Sequence, residues 1–280
     1  SEHASLGALN SPLQAGGSHP AKASISPQFM YGRYNGRLNR IKLSARQLSS
    51  IRIPALYIDS GSVSCEGPDG VIYFIGAYSY SISKRVRGVL SQRDFAVIEK
   101  PPKPRAKTCF GVTYYKGSIY AIGWQTKGAE RRRKCERLVL DENRWELLPN
   151  LKKPIRNSHA ISLEVTNSLY VLGDKSSVIA KRAAFFIQRL TCDSLTWYVL
   201  PTKMPSIAKH VVSFKTDELK AFFLIDQALF RFDPQTNTLQ AVKEFKKLKL
   251  WISGSAYYHE GHLYLRDWNQ PITYQIGRIS

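Results

Sequence analysis

Clustered metal ligands, long apolar runs and acidic side chains are what this sequence is short of. Its four cysteines, Cys65, Cys109, Cys135 and Cys192, stand far apart with no C-x-x-C pair and no histidine beside them. That spacing excludes the usual zinc sites, and no metal or other cofactor is expected. Four scattered thiols in a chain of 280 residues read as reduced side chains of an intracellular protein. The cytoplasm is the first expectation, and an organelle entered by way of a removed targeting segment is the second, because the chain starts at Ser1 and not at Met. No run approaches the roughly 18 apolar residues of a membrane span. There is no P-loop, no G-x-S-x-G and no dinucleotide-binding glycine fingerprint, so no small-molecule substrate is expected either. His259-Glu260-Gly261-His262 resembles a zinc-protease signature only superficially, because that signature needs its two histidines four apart on a helix.

Acidic residues are scarce relative to basic ones. Lys plus Arg number 41 against 21 Asp plus Glu, a formal net charge of +20. Such a surplus attracts polyanions without specifying a fold. Hydrophobic residues make up 43% of the chain, enough for a core, and one large domain is compatible with the length when the fold is a barrel, sandwich or ring of sheets. Residues 1–28 are rich in Ser, Ala, Gly and Pro without hydrophobic periodicity and read as a flexible tail or linker. Residues 29–280 are read as one folded domain of short β-like runs between turn signals. A single short helix candidate falls at Lys243 to Leu250.

The β-like runs repeat. GVIYFIGAY, GSIYAIGW, NSLYVLGD, LKAFFLID and GHLYLRD place Tyr73, Tyr120, Tyr170, Phe223 and Tyr264 in equivalent positions, 47, 50, 53 and 41 residues apart. A second signal follows the first. RLVLDENRW, RLTCDSLTW, LFRFDPQTNTL and VLSQRDF each run from a strand through a polar turn to Trp145, Trp197, Leu239 or Phe95.

Two linked signals at this period resemble the kelch motif over about Tyr31 to Ser280. The resemblance implies an all-β fold, a β-propeller of four-stranded antiparallel blades. Units starting near Gly61, Cys109, His159, His210 and Trp251 give five blades, with six as the alternative. RIKLSARQL, Arg40 to Leu48, aligns with ERLVLDENRW, so the N-terminal strand is expected to join the C-terminal blade and close the ring, removing an open sheet edge. The family's Gly-Gly pair stands here as Gly76-Ala77, Gly123-Trp124 and Gly173-Asp174 and is missing from the last two units. The recurring Tyr and the later Trp are expected to pack between blades, and the glycine to admit close backbone approach.

With strands a to d counted from the centre, the b-to-c and d-to-a connections of such a blade emerge at one end of the ring. The chain's charges then segregate: 25 bases against five acids at that end, and 11 acids against five bases at the other. The candidate partner-binding residues are Arg85 in the first unit's b-to-c connection, Arg105 and Lys107 before the second unit, and Arg131, Arg132 and Arg133 within it. Lys152 and Arg156 follow before the third unit, Lys181 and Arg182 lie within it, and Lys246, Lys247 and Lys249 precede the fifth. Arginine is suited to bidentate contact with carboxylate or phosphate.

A kelch propeller with one basic end is expected to be a non-enzymatic interaction or scaffold module that grips an acidic protein segment. A second expectation is a structural subunit of an RNA-containing assembly, with the same face on phosphates. A third is the substrate-recognition propeller of a ubiquitin-ligase adaptor. The kelch-like copper oxidases are the nearest enzymes in architecture, and no ligand constellation for copper can be nominated from these residues. His159 and His210 occupy equivalent places in successive units and read as framework residues.

Overall fold

The computed structural model describes residues 111–123, 133–142, 144–175, 185–204, 211–215 and 220–245 with their side chains, except those of 156, 157 and 175. It also describes Cys65 and the strand backbones before and after that region. The segment 1–28 lies outside the described residues. No α-helix occurs among the described residues, and none of their helices is long and apolar enough to cross a membrane.

Strands β1 (Phe29–Tyr34), β2 (Arg37–Lys42) and β3 (Gln47–Arg52) form a three-stranded sheet. Four four-stranded sheets follow. They comprise β4 (Val63–Glu66), β5 (Ile72–Ile75), β6 (Ile82–Lys84) and β7 (Ala96–Val97), then β8 (Gly111–Tyr115), β9 (Ser118–Ile122), β10 (Cys135–Val139) and β11 (Arg144–Leu148). Next come β12 (Ile155–Leu163), β13 (Ser168–Lys175), β14 (Phe185–Thr191) and β15 (Thr196–Val199), then β16 (Val211–Lys215), β17 (Ala221–Ile225), β18 (Ala228–Asp233) and β19 (Thr238–Glu244). A last three-stranded sheet holds β20 (Ala256–His259), β21 (His262–Arg266) and β22 (Thr273–Arg278). Every sheet is an antiparallel meander, and the first strands of successive sheets lie side by side from β4 through β8, β12 and β16 to β20. This is the β-propeller architecture that the repeats imply.

The described strands fall into six sheets. Of Arg40 to Leu48, residues 40–42 lie in β2 and 47–48 in β3, with Ile41 opposite Leu48 as Leu138 is opposite Trp145, so the internal alignment holds in register. The expected closing pair between this segment and the last sheet is not among the described pairings, in which β1–β3 and β20–β22 pair only within their own sheets. The expected helix at Lys243 to Leu250 begins in strand instead: Lys243 is opposite Leu229 and Glu244 opposite Ala228, with a bulge between these pairs and the rest of β18–β19. The remainder, 246–250, lies outside the described residues. Backbone pairing with β18 outweighs the weak helical preference of a short lysine-rich stretch.

The turn Lys116-Gly117 has both residues at positive φ, 43° and 75°, as a two-residue hairpin with right-handed strand twist requires. Second strands are buried on both faces: every residue of β9 and β17 is buried. That is why SIYAI and AFFLI read as continuous apolar runs without alternation. One core joins Tyr120, Ile122 and Leu148 of one sheet to Leu169, Val171 and Trp197 of the next, and another joins Tyr170 and Ile187 to Phe223 and Phe232. Trp197 is 1% exposed and its indole Nε1 donates to the Pro149 carbonyl across the sheets at 2.9 Å. The Tyr170 and Phe232 rings meet edge-on with centroids 5.1 Å apart. Burying each such side chain contributes about 1.5–3 kcal/mol.

Along their first strands the successive sheets are sewn together by small polar side chains. The Gly111 N–H donates to Ser158 Oγ at 2.8 Å, and Ser158 Oγ donates to the Ile122 carbonyl at 3.2 Å. Ser162 Oγ donates to the Tyr114 carbonyl at 3.0 Å and accepts from Lys215 Nζ at 3.1 Å. A β-carbon on Gly111 would stand 3.0 Å from that of Ala160, so the first strands approach closely because glycine leaves room.

Candidate partner-binding face

Because each sheet is a meander, the connection from β9 to β10 and the one from β11 to β12 emerge at the same end. Here they meet. The Leu151 N–H donates to the Arg133 carbonyl at 2.8 Å, and Arg133 Nε donates back to the Leu151 carbonyl at 2.6 Å. Two residues on, the next sheet takes hold. Gln188 of β14, 0% exposed, accepts from the Lys153 N–H through Oε1 at 3.0 Å and donates through Nε2 to the Lys153 carbonyl at 2.9 Å.

This double fixing presents Lys152 and Lys153, both exposed. Neither makes an ion pair among the described residues. The Lys153 ammonium lies over the Phe186 ring, 5.5 Å from its centroid, a cation–π contact worth about 0.5–1 kcal/mol at an exposed site. Lys203, between β15 and β16, and Lys243, at the end of β19, are also exposed at this end of their sheets.

Among the expected partner-binding residues, the structure brings Arg133 and Lys152 together. Arg156 lies in β12 with its backbone opposite Asp174. Arg85, Arg105, Lys107, Arg131, Arg132, Lys181, Arg182, Lys246, Lys247 and Lys249 lie outside the described residues. Sequence reasoning passed over Lys153, Phe186 and Gln188 as site residues. The available signals were the doublet Lys152-Lys153 and a lone glutamine interrupting the apolar run FFIQRL; nothing in the sequence pairs Gln188 with a segment 35 positions away.

The opposite end is organised differently, because its charges are used internally. Asn167, at φ 44° after the short turn Glu164–Thr166, accepts through Oδ1 from both Tyr115 Oη and Lys116 Nζ at 2.8 Å. Its Nδ2 donates to Asp193 Oδ1 at 2.6 Å, so one side chain ties the β8–β9 hairpin to two turns of the next sheet. Arg144 bridges Glu142 and Glu146, and Glu146 also pairs with Arg137 at 2.6 Å. The Arg137 hydrogen bond, followed by the charges of Arg137 and Arg144, holds the Glu146 carboxyl below its ordinary range. Burial pushes the Tyr115 phenol up to about 12, which keeps it a hydrogen-bond donor to Asn167. Lys220, which the sequence map left unassigned, is exposed at this end before β17 and lessens its acidity.

Three described side chains of acid–base or nucleophilic type, His159, Cys135 and Cys192, are held neutral at pH 7. Burial pushes His159 down to about 4 and the Cys135 thiol up to about 12, and it raises the Cys192 thiol. No group of three or more His, Cys, Asp or Glu residues that could hold a metal ion occurs among the described residues.

Comparison with known proteins agrees with the repeat. A family model described as Kelch motif matches residues 106–152, a span that takes in β8–β11 and ends at Lys152. No curated protein matches the chain.

Proposed function

We propose, on the premise of the kelch motif at residues 106–152, that the chain is a non-enzymatic interaction module whose basic end grips an acidic segment of a partner protein. Kelch repeats serve as protein-interaction modules, and the chain's surplus of basic residues supports a basic end as the binding surface and an acidic segment as its ligand. The observation that carries the proposal is the pair Lys152 and Lys153: exposed, without ion pairs among the described residues, and fixed in place by Arg133 and Gln188. Ammonium groups that make no ion pair among the described residues and stand on a held segment are open to an arriving carboxylate, and the +20 net charge steers polyanions toward the molecule. The opposite end offers much less, since Arg137 and Arg144 are already bound to Glu142 and Glu146.

The test is a fluorescence-anisotropy titration of the full chain with a labelled decaglutamate peptide and, in parallel, a labelled decauridylate. Binding of the peptide that weakens with salt and falls about fourfold or more in the double variant Lys152→Glu/Lys153→Glu supports the proposal, because exposed charge pairs are each worth about 0.2–1 kcal/mol and reversal adds repulsion of similar size. Binding of the uridylate alone would replace the acidic protein by RNA. Indifference of both probes to the double variant would move the site away from this segment.

A further inference from the structure

Gln188 is a buried amide with both ends of its side chain committed to a single exposed residue of the neighbouring sheet. A polar side chain at a fully buried position must have its hydrogen bonds met. Many partners could meet them, yet the amide spans the N–H and the C=O of Lys153, which closes a two-bond ring and fixes that residue's backbone orientation. On the other side, Arg133 and Leu151 exchange two hydrogen bonds of their own. The segment Leu151-Lys152-Lys153 is therefore anchored on one flank by the β9–β10 connection and on the other by β14. At Lys153 the one main-chain donor is already engaged, so that residue reaches a carboxylate through its side chain alone.

We propose that Gln188 is a positioning residue for partner binding: by holding the Lys153 backbone it aims the Lys152 and Lys153 ammonium groups at two adjacent carboxylates of an acidic partner segment. The inference rests on the function proposed above and adds a requirement to it, namely that charge on this face is insufficient unless the chain carrying it is held still. Ordering a mobile segment when a ligand binds is costly. Gln188 removes that cost before the partner arrives.

The test uses the full chain with Gln188→Met, of matching length without the amide, and Gln188→Leu as a second shape. Because Lys153 is exposed, water can meet its freed N–H and C=O, and both variants are expected to fold. Amide hydrogen exchange should quicken at Lys153. Decaglutamate affinity should fall about three- to tenfold, with the slope of affinity against salt unchanged because no charge was removed. In a Lys152→Ala/Lys153→Ala background the Gln188 variants should cause no further loss. An unchanged Lys153 amide, or unchanged affinity in both Gln188 variants, overturns the inference. An equal loss with and without the lysines also overturns it, since Gln188 would then act through the fold at large. Failure of the unsubstituted chain to bind decaglutamate sinks the proposed function and this inference together, and is recognised from that titration alone.

Discussion

Gly123 and Ile155 share a space that admits no β-carbon between them. One built on Gly123 would lie 2.8 Å from Ile155 Cγ1 and 2.9 Å from its Cδ1, with Ser158 Oγ at 3.2 Å, and Gly123 also holds φ at 76°. Gly117 has nearly the same φ, 75°, with nothing within 4 Å. The two glycines therefore separate backbone conformation from packing.

Gly117→Ala is expected to cost about 1–2 kcal/mol, the price of a left-handed conformation alone. Gly123→Ala should cost that and about 1–3 kcal/mol more from forced overlap with the next sheet. Urea denaturation of the two variants measures the difference, and equal losses would show that Ile155 gives way freely.

His159 makes stability depend on pH. Its folded value near 4 lies below the ordinary 6.5, so between those values the unfolded chain takes up a proton that the folded chain refuses. Its stabilising share is complete above pH 6.5 and shrinks as pH falls toward 4, by up to about 3 kcal/mol. The measurement is the stability difference between pH 7 and pH 5, which should be smaller in His159→Gln than in the unsubstituted chain. The same difference in both proteins would assign the acid sensitivity to carboxylates.

Asn167→Asp keeps the acceptor for Tyr115 and Lys116 but turns the donor facing Asp193 into a second carboxylate. A loss of about 1–3 kcal/mol at neutral pH is expected, the cost of an unmet polar contact, and it should recede as the pH is lowered enough to protonate one of the pair. A pH series of melting temperatures checks this; a loss that grows in acid would contradict the repulsion.

Lys152→Glu/Lys153→Glu should cost no more than about 1 kcal/mol of stability, the worth of the Lys153–Phe186 contact, because both side chains are exposed and make no ion pair among the described residues. Differential scanning calorimetry would reveal any larger change, which would mean that these lysines serve the fold.

The repeat made the second strands and their turns legible. Tyr120, Tyr170 and Phe223 recur at one period, and all are buried between sheets; the spacing of Trp145 and Trp197 gave the outer strands. The alignment of Arg40 to Leu48 with the β10–β11 hairpin found the right register, since pairing there is local and set by the turn. How β1–β3 stand toward β20–β22 was beyond it, because joining the two ends of a chain is a long-range choice that a local pattern does not encode. The same limit applies to the site. Lys152 was visible as a base in a connection, whereas Gln188 reaches the adjacent Lys153 main chain from another sheet, a contact that only folding creates.

The cores of this protein are out of step with its repeats. Each core draws its side chains from two successive sheets: Tyr120 and Leu148 from one, Leu169 and Trp197 from the next. A fragment cut at the motif boundaries, such as residues 106–152, would carry half of two interiors and a whole one of neither. Autonomy begins with at least a pair of neighbours, so duplication or loss of a single unit in an ancestor of such a chain had to be absorbed by both flanking sheets at once.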